Sequence, residues 1–136
     1  MKHTRVSIKT TNQGLYEFTD KVRDLVTTSN ITEGMANIFI KHTSASLTIQ
    51  ENADYSAKRD LENWINRLVP ESSQNFTHTS EGPDDMPSHI KAVLTSTSLL
   101  IPIINGKLEL GTWQGIYLWE HRRSPHTRTV IISIFS

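Results

Sequence analysis

The sequence predicts an α+β fold on three observations: short segments in which apolar and polar residues alternate, about three short stretches with helical periodicity, and strand-like segments crowded into the C-terminal half. In order along the chain, residues 5–11 alternate around Val6 and Ile8, Asn12-Gln13-Gly14 signals a turn, and residues 15–18 resume extended character. Together they predict a hairpin of two strands. Thr19-Asp20 is placed to cap a short helix carrying Val22, Leu25 and Val26 on one face, which ends within residues 27–30, with Gly34 closing the connection. Residues 35–41 read as a strand with Ala36, Ile38 and Ile40 on one face, and continued alternation brings His42 inward at its end.

Residues 47–50 form another short strand. Asn52 or Asp54 then caps a helix whose predicted inner stripe is Ala57, Leu61, Trp64, Ile65 and Leu68, with Asp60 beside it and Pro70 beyond. Residues 71–87 are polar and turn-rich and predict a long loop, a length that points to function or disorder. Pro87 starts a short helix that runs to Leu94 and faces His89 inward with Ala92 and Val93. The rest reads as sheet: residues 99–104, the Asn105-Gly106 hairpin turn, residues 107–111, 116–121 and 127–135. The last strand is apolar on both faces, which suits an interior position, while Pro102 suggests an edge or a bulge.

A chain of 136 residues is expected to fold as one domain, residues 1–136, with a core of its own. It has no cysteine, so any metal must be held by nitrogen and oxygen ligands, and neither disulfides nor a thiol nucleophile is available. The N-terminus opens directly into alternating residues, and no apolar run approaches the roughly 20 residues of a membrane span, so the expected location is the cytoplasm. Fourteen basic residues balance fourteen acidic ones, which removes bulk attraction to nucleic acid or anionic membrane as an expected function. An anion must then be recognised locally.

Three constellations carry candidate chemistry. His42-Thr43-Ser44-Ala45-Ser46 follows an apolar strand, and its hydroxyls and free backbone N–H groups suit a phosphate or carboxylate, although Ser/Thr-rich turns with a hydrogen-bonded histidine are common. His78 to His89 places two histidines with Glu81, Asp84 and Asp85 within twelve residues, a ligand set for zinc, manganese or magnesium. The same two aspartates would equally serve the N-terminus of the helix that follows. Finally, Gly111-Thr112-Trp113-Gln114-Gly115 allows an aromatic ring and an amide to approach a ligand closely, and Arg122, Arg123 or Arg128 offers a fork for phosphate oxygens. The alternative there is a core tryptophan and a basic hairpin exposed to water.

These three motifs, His42 to Thr48 with Glu51-Asn52-Ala53-Asp54, Glu81 to Lys91, and Gly111 to Ile116 with Glu120-His121-Arg122, resemble those of the YjbQ family over nearly the whole chain. The resemblance implies a small α+β fold with mixed or antiparallel sheets in a sandwich-like arrangement, assembly as a homotrimer, and a polar pocket for metal or anions. It also implies a secondary thiamine-phosphate synthase activity, which joins a pyrimidine pyrophosphate to a thiazole phosphate and releases pyrophosphate.

On this reading, His42, His78, His89 and His121 are candidate ligands of a divalent ion, and Glu81, Asp85 and His89 are candidate catalytic groups. Thr43, Ser44, Lys91, Trp113, Gln114 and Arg122 are candidate contacts to a phosphorylated small molecule, with Trp113 over the pyrimidine ring. Two alternatives use the same residues: a metal-dependent hydrolase of phosphate esters with Glu81 or Asp85 as base, and a non-catalytic trimeric protein that binds a phosphorylated metabolite.

Overall fold

A computed structural model describes residues 1–71 and 75–136. It contains two antiparallel sheets and three helices, so the α+β expectation holds. The strands are β1 (Lys2–Thr10), β2 (Gly14–Glu17), β3 (Glu33–Ile40), β4 (Ala45–Glu51), β5 (Ser98–Ile104), β6 (Lys107–Leu108), β7 (Gln114–Glu120) and β8 (His126–Phe135). The helices are α1 (Thr19–Ser29), α2 (Tyr55–Leu68) and α3 (Asp85–Leu94). A five-stranded sheet runs in the order β1-β8-β3-β5-β6, and a three-stranded sheet in the order β2-β7-β4.

The predicted β1–β2 hairpin is not formed. β1 pairs with β8 and β2 pairs with β7, in different sheets, because the turn at residues 12–13 redirects the chain without bringing its flanking strands together. Alternation explains the core: Ile8 of β1, Ala36, Ile38 and Ile40 of β3, Ile101 and Ile103 of β5, and Val130, Ile132 and Ile134 of β8 face Leu47 of β4 and Ile116 and Leu118 of β7 across one apolar layer. Val22 and Val26 of α1 complete it. The opposite face of the three-stranded sheet is also covered, since Leu15, Tyr117 and Trp119 pack against Ile65 of α2. Buried on both sides, β7 is inaccessible from Gly115 to Glu120.

β8 lies between β1 and β3, the interior place its two apolar faces predict. β5 neighbours only the two-residue β6 on its outer side, which accommodates Pro102 near the sheet margin. The Asn105-Gly106 turn adopts positive φ at both residues, as a tight hairpin turn requires, but β6 is shorter than the predicted residues 107–111.

Several local expectations are corrected. Phe18, rather than Thr19 or Asp20, precedes α1, because the Thr19 hydroxyl is engaged with Glu17 Oε2 (2.7 Å) and accepts from Ile116 N–H (2.8 Å). Gly34 belongs to β3 instead of a connecting loop, and a Cβ there would lie 2.2 Å from the Phe135 carbonyl oxygen. Asp54 caps α2 by accepting from Ser56 N–H at 2.9 Å. The inner stripe of α2 is narrower than predicted: Ile65 is buried, Ala57 and Leu61 are half-buried, and Trp64, Leu68 and Asp60 are exposed. Glu62 is drawn in instead, its Oε2 accepting from Leu15 N–H at 2.8 Å. α3 begins two residues before Pro87, and Val93 points outward. Part of the predicted loop, residues 72–74, lies outside the described residues.

Candidate functional site

α3 organises the site. Pro87 sits in its first turn, where a missing N–H costs nothing, and the four-residue spacing stacks Asp85 and His89 on one face. His78, from the preceding loop, brings Nε2 to 2.7 Å from Asp85 Oδ2, and His89 Nε2 lies 3.2 Å from the same oxygen. The three ligand atoms lie within 4.8 Å of one another. Asp85 is 1% exposed, so this is a carboxylate held inside the protein with two imidazoles above it.

His89 Nδ1 lies 2.9 Å from the Thr43 carbonyl oxygen, a partner that can only accept, so Nδ1 carries a hydrogen. In the neutral ring Nε2 would then direct a lone pair at the Asp85 carboxylate. Two acceptors do not converge at hydrogen-bond distance without a cation, either a proton on the ring or a metal ion. Two imidazoles and one carboxylate also match the donor set of catalytic zinc or of other first-row divalent ions with open positions. The residues present therefore fit a divalent metal.

Arg122 fixes the carboxylate from behind. Its Nη1 donates to Asp85 Oδ1 (2.7 Å), its Nε to Asp84 Oδ2 (3.0 Å) and its Nη2 to the Glu81 carbonyl oxygen (2.9 Å). Asp84 also accepts from Arg123 N–H at 3.0 Å. Burial alone would push Asp85 up, but the His78 hydrogen bond and the charges of His89 and Arg122 hold it below the usual carboxylate range. Asp84, similarly opposed by burial, is held low by its bonds to Arg123 N–H and Arg122. Despite burial, Asp84 and Asp85 raise Arg122. Both aspartates thus act on groups outside α3, Asp85 on side chains and Asp84 on the Arg122 side chain and the Arg123 N–H, and neither closes the helix by a side-chain cap. Ser88 Oγ ties α3 to the end of β7 by lying 2.9 Å from the His121 carbonyl oxygen.

A second polar cluster closes the same end of the sheet layer. Alternation places Glu120 on the face of Ile116 and Leu118, and Arg128 on the face of Val130 and Ile132, so two charges meet where the apolar layer ends. Arg128 donates to both Glu120 carboxylate oxygens and, through Nη2, to Ser44 Oγ (3.0 Å), while Thr10 Oγ1 donates to Glu120 at 2.6 Å. Burial would raise Glu120, but Arg128, Thr10 and the Arg122 N–H outweigh it and hold the carboxyl low.

Of the four candidate metal histidines, the structure brings together His78 and His89. His42 is turned away: its Nε2 accepts from Thr129 N–H at 2.8 Å, and its Nδ1 faces Arg128 at 3.5 Å. Burial, then Arg128, lowers its pKa. His121 is buried with Nε2 at 2.9 Å from Ser46 Oγ, and burial pulls its pKa down to about 3.

The other predicted site residues divide likewise. Glu81 is exposed and gives its backbone to Arg122; Thr43 is exposed and gives its backbone to His89; Ser44 is buried against Arg128. Lys91 lies on another side of α3, where it meets Asn66. Trp113 and Gln114 sit at the far end of β7, roughly 20 Å along the strand from Glu120. Gln114 Oε1 accepts from Gly111 N–H (2.8 Å) and so closes its own turn, while Trp113 is 63% exposed.

Sequence reasoning missed the Glu120–Arg128 pair as a unit and Asp84 as the anchor of Arg122. The first had a readable signal, since a charge at the end of an apolar face on each of two strands needs a partner. The second had none, because the contact spans 38 residues.

Comparison with known proteins agrees with this architecture. The chain is 49% identical over 127 residues to UPF0047 protein sll1880 of Synechocystis, which covers 93% of this chain and 86% of that protein. It is 38% identical to UPF0047 protein YjbQ of Escherichia coli O157:H7, over 95% and 94% of the two chains. A crystal structure of a YjbQ/UPF0047-family protein from Clostridium acetobutylicum superposes with a TM-score of 0.89 at 38% identity, over 97% of this chain and 99% of that one. With residues 4–136 matching the family model described as UPF0047 protein YjbQ-like, the chain belongs to the YjbQ family.

Proposed function

We propose that this chain is a metal-dependent enzyme acting on phosphorylated small molecules, with the secondary thiamine-phosphate synthase reaction as its testable activity. The observation that carries the reading is the convergence of His78 Nε2 and His89 Nε2 on Asp85 Oδ2, with the hydrogen of His89 Nδ1 committed to Thr43. His78, Asp85 and His89 would hold a zinc, manganese or magnesium ion, and the histidines favour the first two. The chemistry such an ion supplies is stabilisation of negative charge on a departing pyrophosphate.

The chain's own residues position that centre. Arg122 and the Thr43 carbonyl orient the carboxylate and one imidazole, and Glu81 is exposed beside them as the candidate base. Trp113 and Gln114, at the other end of β7, join this site only from a neighbouring copy in the proposed homotrimer. Phe39, Leu100 and Ile104, exposed on the five-stranded sheet, offer an apolar face for that assembly.

The test supplies the pyrimidine pyrophosphate and the thiazole phosphate with each divalent ion and follows pyrophosphate release. Turnover by the wild type, at least about 100-fold lower in His89→Ala with near-UV circular dichroism retained, is the expected result. Equal turnover in the variant would remove the site from the reaction. Release of inorganic phosphate from single phosphorylated metabolites would instead identify the hydrolase.

A further inference from the structure

On the side of α3 away from the histidines lies a buried lysine with little to balance it. Lys91 is 2% exposed, and its Nζ donates to Asn66 Oδ1 of α2 at 2.6 Å. An ammonium has three donors, and among the described residues this neutral amide is the one acceptor Lys91 reaches by its side chain. No carboxylate of the described residues comes within ion-pair distance of it. Buried charges in proteins are ordinarily paired, whereas the carboxylates that act on Lys91, Glu71 and Asp84, do so from beyond ion-pair distance and are already held by Arg123 (2.7 Å) and Arg122 (3.0 Å).

Lys91 and Asn66 line a cavity of about 220 Å³ between α2, α3 and the β2–β7 pair. The amide side chains of Gln13 and Asn63 share its wall. Its two carboxylates are already engaged: Glu62 accepts from Leu15 N–H and lies 3.5 Å from Lys58, and Glu120 is paired with Arg128. None of His78, Asp85 and His89 borders the cavity. His89 and Lys91 are two residues apart on one helix, which turns them about 200° from each other. The volume falls below the roughly 300 Å³ at which pockets for drug-sized ligands begin, so the occupant has few heavy atoms.

We infer that this cavity binds a small oxyanion, a phosphate or carboxylate group, with Lys91 as its counter-charge and amide side chains of the wall as hydrogen-bond donors. The site is separate from the histidine centre and independent of any metal there.

Isothermal titration of chelator-treated protein with inorganic phosphate, and separately with acetate, tests it. The wild type should bind about one equivalent of at least one of the two, and the tighter one names the group recognised. Lys91→Met should weaken binding about tenfold or more, and Asn66→Asp should do the same by giving Lys91 an internal partner. Asn66→Asp should also unfold no more readily than the wild type, which separates lost binding from lost structure. His89→Ala should bind the anion as the wild type does. Saturable binding by neither anion, or wild-type affinity in both Lys91→Met and Asn66→Asp, would overturn the inference.

Discussion

The two ends of β7, Gly111-Thr112-Trp113-Gln114 without a charge and Glu120-His121-Arg122-Arg123 with three, are held in opposite ways. At the Gln114 end, the polar groups serve the turn itself: Gln114 closes onto Gly111, Asn52 N–H donates to the Trp113 carbonyl oxygen, and the indole stands in solvent. At the Glu120 end, Glu120, His121 and Arg122 each reach a different partner element, Arg128 of β8, Ser46 of β4 and the start of α3. What separates them is convergence. Five elements meet at one end, so its charges are desolvated and must satisfy one another, while at the other end water does that work.

That contrast is broken most severely by removing Glu120. Glu120→Ala strands the Arg128 guanidinium beside Ser44 and should cost about 3–5 kcal/mol in urea unfolding. A loss below about 1 kcal/mol would show that water reaches the pair.

Arg122→Met comes next. It releases Asp85 Oδ1 and should weaken divalent-ion binding about 10–100-fold, measured by competition with a chelating dye, with the fold retained. Affinity equal to the wild type would mean that the histidines alone set the site.

Acid stability sharpens the comparison further. The folded protein keeps His121 neutral down to about 3, whereas the unfolded chain protonates it near the usual 6.5. The unfolded state therefore binds the extra proton in that window, and stability falls as pH drops from about 6.5 towards 3, by up to about 1.4 kcal/mol per pH unit. His121→Gln should flatten that slope in urea titrations repeated across the window. An unchanged slope would assign it to other groups.

The smallest effect belongs to the opposite end: Trp113→Ala should alter the unfolding midpoint by no more than about 0.5 kcal/mol worth of stability. A larger loss would reveal a partner surface over the indole.

The legible parts of the fold were those decided by period and turn chemistry. β3 was readable from alternation, β8 from its two apolar faces, and the β5–β6 connection from Asn105-Gly106. Pairing was not, because nothing local at Asn12 to Gly14 says that β1 must travel to β8 and β2 to β7. The width of the α2 stripe was missed for a related reason: the surface beneath it accommodates Ile65 and half of Leu61, and Trp64 and Leu68 are left over.

In the site, His78, Asp85 and His89 were findable because they are close in sequence and the last two are one helical turn apart. His42 and His121 carried equal promise on paper. Their nitrogens are instead taken by Thr129 and Ser46, 87 and 75 residues away, and no spacing rule reports such partners. Lys91 read as a contact to a phosphorylated ligand at the same site, and only the packing of α3 on α2 shows it buried on another side of the helix.

The central claim, that His78, Asp85 and His89 form a divalent-metal centre, is tested most directly by elemental analysis of untagged wild type beside His89→Ala after incubation with zinc or manganese and gel filtration. Near-stoichiometric metal in the wild type, lost in the variant, is the predicted result. Absence of metal from both would contradict it and leave a proton as the cation that joins these histidines to Asp85.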